Sequence, residues 1–137
     1  MKIVIIDGQG GKMGKSVIEQ LKKRFPELET YSIGSNRIAT SAMLKAGATY
    51  GATGENPVIV NAQDADIIIG PIGIVMANSL LGEITPAMAA SIGSSKAYKI
   101  LIPVNRCNHY IVGCQNNTLS DYINMVCDEV GKEVKSI

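Results

Sequence analysis

Ile3-Val4-Ile5-Ile6-Asp7-Gly8-Gln9-Gly10-Gly11-Lys12-Met13-Gly14 is the stretch that decides the fold of this chain. Its apolar run, Ile3–Ile6, is typical of a strand buried on both faces of a parallel sheet. A glycine-rich turn follows, and beyond it Val17, Ile18 and Leu21 recur at helical spacing. The chain therefore begins with a buried strand, a glycine turn and an amphipathic helix.

The same alternation of strand and helix continues along the chain. Further strands are predicted at Thr30–Ile33, Thr49–Gly51, Ile67–Ile69, Ile100–Val104 and His109–Val112. Further helices are predicted at Ile38–Ala46, Val75–Leu81, Pro86–Ser94 behind Thr85, and after the Thr118 cap. Asn56 before Pro57 favours a short helix, although the β-branched Val58-Ile59-Val60 leaves a strand open. This order predicts one α/β domain over residues 1–137: Rossmann-like and doubly wound, with a mainly parallel sheet and helices on both faces.

Composition excludes several classes of function. The formal net charge is +1, Trp is absent and aromatic residues make up 4%, so neither a basic surface nor stacking aromatics predict a nucleic-acid partner. The longest apolar region, Ile67–Ile92, is interrupted by Gly and Pro, which predicts no membrane span. Three cysteines are an odd number and predict no disulfide scaffold. We expect a cytoplasmic protein with reduced thiols.

The glycine turn has the features of a phosphate-binding loop. Gly8 permits a tight turn, Gly10 or Gly11 lets backbone N–H groups approach a pyrophosphate, and Gly14 lets the helix lie close to the sheet. The helix N-terminus adds a partial positive charge. The predicted cofactor-binding residues here are Gly8, Gln9, Gly10, Gly11, Lys12, Met13 and Gly14. The alternative is a strand-to-helix turn that binds nothing.

The end of the second predicted strand favours NADP over NAD. NAD-binding domains place an acidic residue roughly 20 residues beyond the glycines, where it bonds the ribose 2′-hydroxyl. This chain has Ser35, Asn36 and Arg37 there, a set of donors that suits a 2′-phosphate. The alternative is that Ser35 and Asn36 cap the next helix and that Arg37 is an exposed surface charge.

Two further rim loops carry candidate residues. Gly70, Pro71 and Ile72 follow the central strand and are predicted to lie beside the nicotinamide half of a dinucleotide, unless they only form a turn. Cys107, His109, Cys114 and Cys127 form a possible zinc set, but their spacing matches no common zinc pattern, and we predict no metal. Cys107 with His109 is a possible nucleophile pair that lacks an identifiable orienting residue, so the catalytic residues stay unknown.

Two resemblances accompany this interpretation. The turn resembles that of dihydrodipicolinate reductase and prephenate dehydrogenase, which carry Gly-x-x-Gly-x-Met-Gly before their first helix; this resemblance ends near Arg37. Over its whole length the chain is similar to a family of short, uncharacterised bacterial Rossmann-like proteins, a domain of unknown function. The segments that carry this similarity are Gly8–Gly14, Gly70–Ser79 and Ile102–Cys107. The similarity implies the fold and no reaction.

Two functions of different class are consistent with the sequence. The first is an NAD(P)-binding oxidoreductase subunit that lacks its own substrate domain, so that a homo-oligomer partner or another chain completes the site. The apolar helices between Val75 and Ser94 are candidates for that interface, and burial inside this domain explains them equally well. The second is a non-enzymatic module that binds a nucleotide or phosphorylated metabolite and has a regulatory or partner-binding role. A metal or thiol protein built on the cysteines ranks third.

Overall fold

Five parallel strands form one sheet, in the order β3-β2-β1-β4-β5. The computed structural model describes residues 1–104 and 108–136. The strands are β1 (Ile3–Asp7), β2 (Thr30–Gly34), β3 (Tyr50–Thr53), β4 (Ile67–Pro71) and β5 (Tyr98–Ile102). The helices are α1 (Lys12–Arg24), α2 (Arg37–Lys45), α3 (Glu55–Asp64), α4 (Pro86–Ser94) and α5 (Leu119–Lys135), with a 3-10 helix at Ile72–Val75.

Helices cover both faces of the sheet. Because successive side chains of a strand point to opposite sides, each strand contributes to a core on either face. Ile3 and Ile5 of β1 join the buried residues of α1, α2 and α5 in one core. Val4 and Ile6 of the same strand join those of α3 and α4 in the other. Every residue of β1 is buried, as the apolar run predicts. The predicted α/β class, parallel sheet and helices on both faces are confirmed.

The strand order places a ligand crevice at a definite point. From β1 the chain moves outward through β2 to β3, then returns to the other side of β1 to form β4. Strand order therefore reverses between β1 and β4, and in open α/β sheets the crevice for a ligand opens at the carboxyl ends of such a pair. The glycine turn follows β1, and the Ile72–Val75 turn follows β4.

Two predicted elements do not form in the part of the chain that the structure describes. Val75–Leu81 forms no helix, since Asn78, Leu80 and Leu81 have φ of 65°, 55° and 56°, values incompatible with a right-handed helix. The N–H of Asn78 instead donates to the Ile84 carbonyl at 2.7 Å and closes a turn. His109–Val112 forms no strand in the part of the chain that the structure describes.

Helix α3 confirms the helical interpretation of residues 56–60 but begins at Glu55 behind Gly54, so Asn56 is not its cap. The caps predicted at Thr85 and Thr118 both accept a backbone N–H. Within the described ranges, no helix has the length and apolar character needed to cross a bilayer.

Candidate functional site

The glycine turn is held in shape by its own backbone. The N–H of Gly11 donates to the Gly8 carbonyl at 2.9 Å, and Gly11 has φ of +74°, a left-handed conformation that favours glycine. A Cβ on Gly11 would lie 2.7 Å from the Cα of Ala39, so the turn packs directly on α2. Gly10 has no atom within 4 Å of where its Cβ would lie. The outer edge of the turn, at Gly10, is therefore open to a ligand.

Gly14 brings α1 close to the sheet, as its position in the turn predicts. A Cβ at Gly14 would lie 2.5 Å from Sδ of Met43 and 3.1 Å from Cβ of Asp7. Without that Cβ, the N–H of Gly14 reaches the Asp7 carboxylate at 2.7 Å. The first turn of the helix thus already has one carboxyl acceptor, supplied by the strand that precedes it.

Asp7 is the buried carboxyl at the base of the turn, with 5% of its surface exposed. It accepts hydrogen bonds from the N–H of Gly8 at 2.8 Å and of Gly14 at 2.7 Å. Burial nevertheless raises the pKa of Asp7 above its usual 3.8, because desolvation outweighs these hydrogen bonds and the negative charge of Glu83 adds to it. The folded protein therefore holds a proton on Asp7 more tightly than the unfolded chain does.

Asp7→Asn is expected to change how stability depends on pH. Because the folded-state pKa of Asp7 is raised, protonated Asp7 stabilises the folded protein. This contribution to the free energy of unfolding is complete below pH 3.8 and is lost as the pH rises through the folded-state pKa. Urea unfolding over a pH series measures this: the free energy of unfolding of the wild type should fall relative to Asp7→Asn across that window. Parallel curves for the two proteins would contradict the raised pKa.

Glu83 reaches the turn from the long connection between β4 and α4. Its Oε1 accepts hydrogen bonds from the backbone N–H of Gln9 at 2.9 Å, the hydroxyl of Ser35 at 2.6 Å and the amide of Asn36 at 2.7 Å. Partial burial raises the pKa of Glu83, but these three bonds together outweigh it and bring the pKa below its usual 4.5. The ionised carboxylate therefore joins the glycine turn to the end of β2.

A crevice of about 520 Å³ opens between the glycine turn and the loops that follow β4 and β5. Pocket volumes of this order are typical of small-molecule sites. One end of the crevice is the backbone of Gly8–Met13. The opposite wall, formed by the ends of β4 and β5 and the segments that follow them, is apolar and includes Pro71, Ile72, Met76, Ile102 and Pro103. The polar side chains among the lining residues are those of Asp7, Gln9, Lys12, Ser79, His109, Asn117 and Tyr122.

The structure brings part of the predicted site together. Of the predicted residues, Gly8, Gln9, Gly10, Gly11, Lys12, Met13, Pro71 and Ile72 line the crevice. Gly14 and Gly70 lie behind it, in α1 and β4. Ser35, Asn36 and Arg37 lie at the end of β2 and are not among the lining residues. Asn36 instead caps α2 by accepting the N–H of Ala39 at 2.9 Å, which was the alternative interpretation.

Sequence patterns missed four side chains that shape the site: Asp7, Leu80, Glu83 and Tyr122. Asp7 was the one with a local signal, because an acidic residue that ends a buried strand just before a helix faces the first free N–H groups of that helix. Leu80 lies in the segment predicted as a helix, and Glu83 lies two residues beyond that segment. Tyr122 of α5 comes from the far end of the chain, and no local pattern links it to the turn.

The cysteine and histidine candidates do not assemble in the described residues. Cys127 is fully buried in the core on α5, and Cys114 is half-buried with its Sγ 3.4 Å from the Tyr122 hydroxyl. Across residues 1–104 and 108–136, no cluster of three His, Cys, Asp or Glu side chains suits a metal ion. Cys107, which belongs to both the zinc set and the nucleophile pair, lies outside the described residues, as do Asn105 and Arg106.

Comparison with known proteins identifies one family. A family model described as "Domain of unknown function (DUF3842)" matches residues 2–135. No curated protein matches the chain. Among solved structures, the chain is similar to a dodecameric FMN-dependent UbiX-like decarboxylase from Escherichia coli O157:H7, with 13% identity, 94% of each chain covered and a TM-score of 0.46.

The preference for NADP was wrong. The similar decarboxylase is FMN-dependent, and FMN is a flavin nucleotide and not a nicotinamide nucleotide. In this chain, the Ser35 and Asn36 donors that were assigned to a 2′-phosphate are bonded to Glu83. The negative charge of Glu83 would repel a phosphate at the end of β2. Arg37 is exposed and does not line the crevice, so it supplies no compensating contact.

Proposed function

The chain belongs to the DUF3842 family, as its whole-length resemblance predicted, and from the geometry of its crevice we propose that it binds a phosphorylated small molecule. The phosphate contacts the Gly8–Met13 turn, and an apolar or aromatic part of the ligand packs on the opposite wall. The observation that carries the proposal is the position of this crevice at the β1/β4 reversal, with a bare backbone turn at one end.

The donors available to a phosphate are on the outer side of the turn. The Asp7 carboxyl accepts hydrogen bonds from the N–H groups of Gly8 and Gly14, so these two donors are not available to a ligand. The N–H groups of Gly10 and Lys12 have no acceptor within the described part of the chain. The side chain of Lys12, the first residue of α1, is exposed beside them. A helix N-terminus with free N–H groups and a nearby cation stabilises an anion, and here it opens into a crevice.

Two ionisable side chains at the crevice, those of Asp7 and Tyr122, are already engaged in hydrogen bonds within the chain. The carboxyl of Asp7 is engaged by two backbone N–H groups at the base of the turn. The hydroxyl of Tyr122 donates to the Gln115 carbonyl at 2.5 Å and has Cys114 beside it. We therefore favour a non-enzymatic binding module with a regulatory or partner-binding role over an oxidoreductase subunit. The homo-oligomer and the cytoplasmic location stay predictions.

Matched pairs of ligands test the proposal. Isothermal calorimetry should show AMP binding at least about tenfold tighter than adenosine, and FMN tighter than riboflavin by a similar factor, a difference of about 1.4 kcal/mol. Lys12→Gln should reduce the advantage of the phosphorylated member, since it removes a cation from the rim. Lys23→Gln is the matched control, because Lys23 is exposed in the last turn of the same helix. Equal affinities within each pair, or no binding by any of the four compounds, would contradict the proposal.

A further inference from the structure

We infer that Glu83 closes the β2 side of the crevice and restricts the ligand to a single phosphorylated unit, excluding dinucleotides. The inference rests on the proposed function and names the class of molecule that the site accepts. It makes Glu83 a specificity-determining residue.

The contacts of Glu83 occupy the route that a dinucleotide would take. In doubly wound sheets with this strand order, the half of a dinucleotide that lies over β2 contacts the residues at the end of that strand. Here Ser35 and Asn36 are at that end, and both donate to Glu83 Oε1, at 2.6 and 2.7 Å. The third donor, the N–H of Gln9, belongs to the glycine turn. The amide of Asn36 also donates to the Gln9 carbonyl at 2.9 Å, so the peptide groups of Gln9 are engaged on both sides.

The backbone around Glu83 is folded so as to bring it over the turn. Leu80 and Leu81 have positive φ, and the Ile84 N–H donates to the Ser79 carbonyl at 3.2 Å. A Cβ on Gly8 would lie 2.9 Å from Cδ1 of Leu80 and 3.0 Å from Oε1 of Glu83. Gly8 therefore allows the side chains of Leu80 and Glu83 to pack directly on the turn, above the carboxyl ends of β1 and β2.

On the β5 side, away from Glu83, the crevice continues into more open space. A second cavity, of about 610 Å³, adjoins the crevice over β5 and α5. Both cavities are lined by Ile72, Ile102, Pro103, Asn117 and Tyr122. A ligand held by its phosphate at Gly10 and Lys12 can extend toward β5, while the Glu83 carboxylate stands on the β2 side and would repel a second phosphate. The chemistry of the site is therefore that of a monophosphate with an apolar or aromatic part.

Two pairs of probes measure the exclusion directly, because FAD is FMN extended by a second nucleotide and ADP-ribose is AMP extended by a ribose phosphate. In the wild type, calorimetry should give FMN at least about tenfold tighter binding than FAD, and AMP the same advantage over ADP-ribose. Glu83→Ala should bring each ratio close to one by opening the β2 side. Glu83→Gln, nearly isosteric, should move both ratios in the same direction because it removes the charge, and it serves where Glu83→Ala fails to fold. Glu27→Gln, which neutralises an exposed carboxylate beyond the C-terminus of α1, should leave both ratios unchanged.

The outcomes separate this inference from the function on which it rests. If Glu83 only supports the turn, both affinities of a pair fall together in its variants and the ratio stays constant, which would overturn the inference. Equal wild-type affinities for FMN and FAD, and for AMP and ADP-ribose, would overturn the inference and leave phosphate binding intact. No binding of AMP or FMN to the wild type would overturn both.

Discussion

Gly70→Ala is expected to lower the free energy of unfolding by about 3 kcal/mol, at the upper end of what overpacking usually costs. Gly70 lies in β4 where the strand passes the end of β1, and an added Cβ would overlap the carbonyl oxygen of Ile6. A flexible side chain can move away from such a contact, but this oxygen is part of the β1 backbone. Strand β4 has little room to shift, because it pairs with β1 on one side and β5 on the other. Urea unfolding followed by circular dichroism measures the loss.

Gly93→Ala provides the matched control for that experiment. Gly93 lies in α4, and a Cβ there has no atom within 4 Å. Alanine in a helix is more favourable than glycine by roughly 0.5–1 kcal/mol, so this variant should be as stable as the wild type or slightly more so. If Gly70→Ala were also neutral, β1 and β4 would not approach each other as closely at the base of the crevice as the structure shows.

Gly10→Asp is expected to weaken the binding of AMP and FMN by about thirtyfold, which corresponds to about 2 kcal/mol. Gly10 is exposed on the glycine turn, with open space where a Cβ would lie and no positive φ. A side chain therefore fits without strain, and the carboxylate would stand where the phosphate is proposed to bind. Calorimetry with AMP gives the change in affinity, and thermal unfolding without ligand should be close to that of the wild type.

Gly10→Asn separates charge from bulk in the same position. Asparagine has nearly the same shape as aspartate and no charge, so it should retain most of the affinity that Gly10→Asp loses. If neither Gly10→Asp nor Gly10→Asn changed the affinity for AMP, the phosphate would bind away from the turn. Equal large losses in both variants would mean that bulk, and not charge, blocks the site.

The fold was predictable from the sequence because its signals are local. Ile3–Ile6 is an uninterrupted apolar run, and it forms a strand buried on both faces. The helix caps were predictable for the same reason, since Thr85 and Thr118 each bond an N–H three residues ahead. Val75–Leu81 shows the limit of such patterns. Its apolar composition suits a helix, but the turn after β4 and the bond between Asn78 and Ile84 impose another conformation.

The candidate site was predictable where its residues lie at or just after the end of a strand. Gly8–Met13 lines the crevice because the glycine spacing specifies a turn at the end of β1. The sequence has no acidic residue next to Ser35, but the fold brings the carboxylate of Glu83 to it. Glu83 is 48 residues from Ser35 and 74 from Gln9, and three hydrogen bonds converge on it only after the chain has folded. Partners at that separation leave no local periodicity or spacing to detect.

A titration of isotope-labelled protein with AMP, followed through its backbone amide resonances, tests the central claim most directly. The largest shifts should fall on the amides of Gly10, Lys12 and Met13, with weaker changes along the wall that follows β4. The amides of Ser35 and Arg37 should change little, because neither residue lines the crevice and the Ser35 hydroxyl is bonded to Glu83. Maximal shifts at Ser35 and Arg37, or no shift in the glycine turn at saturating AMP, would contradict the account.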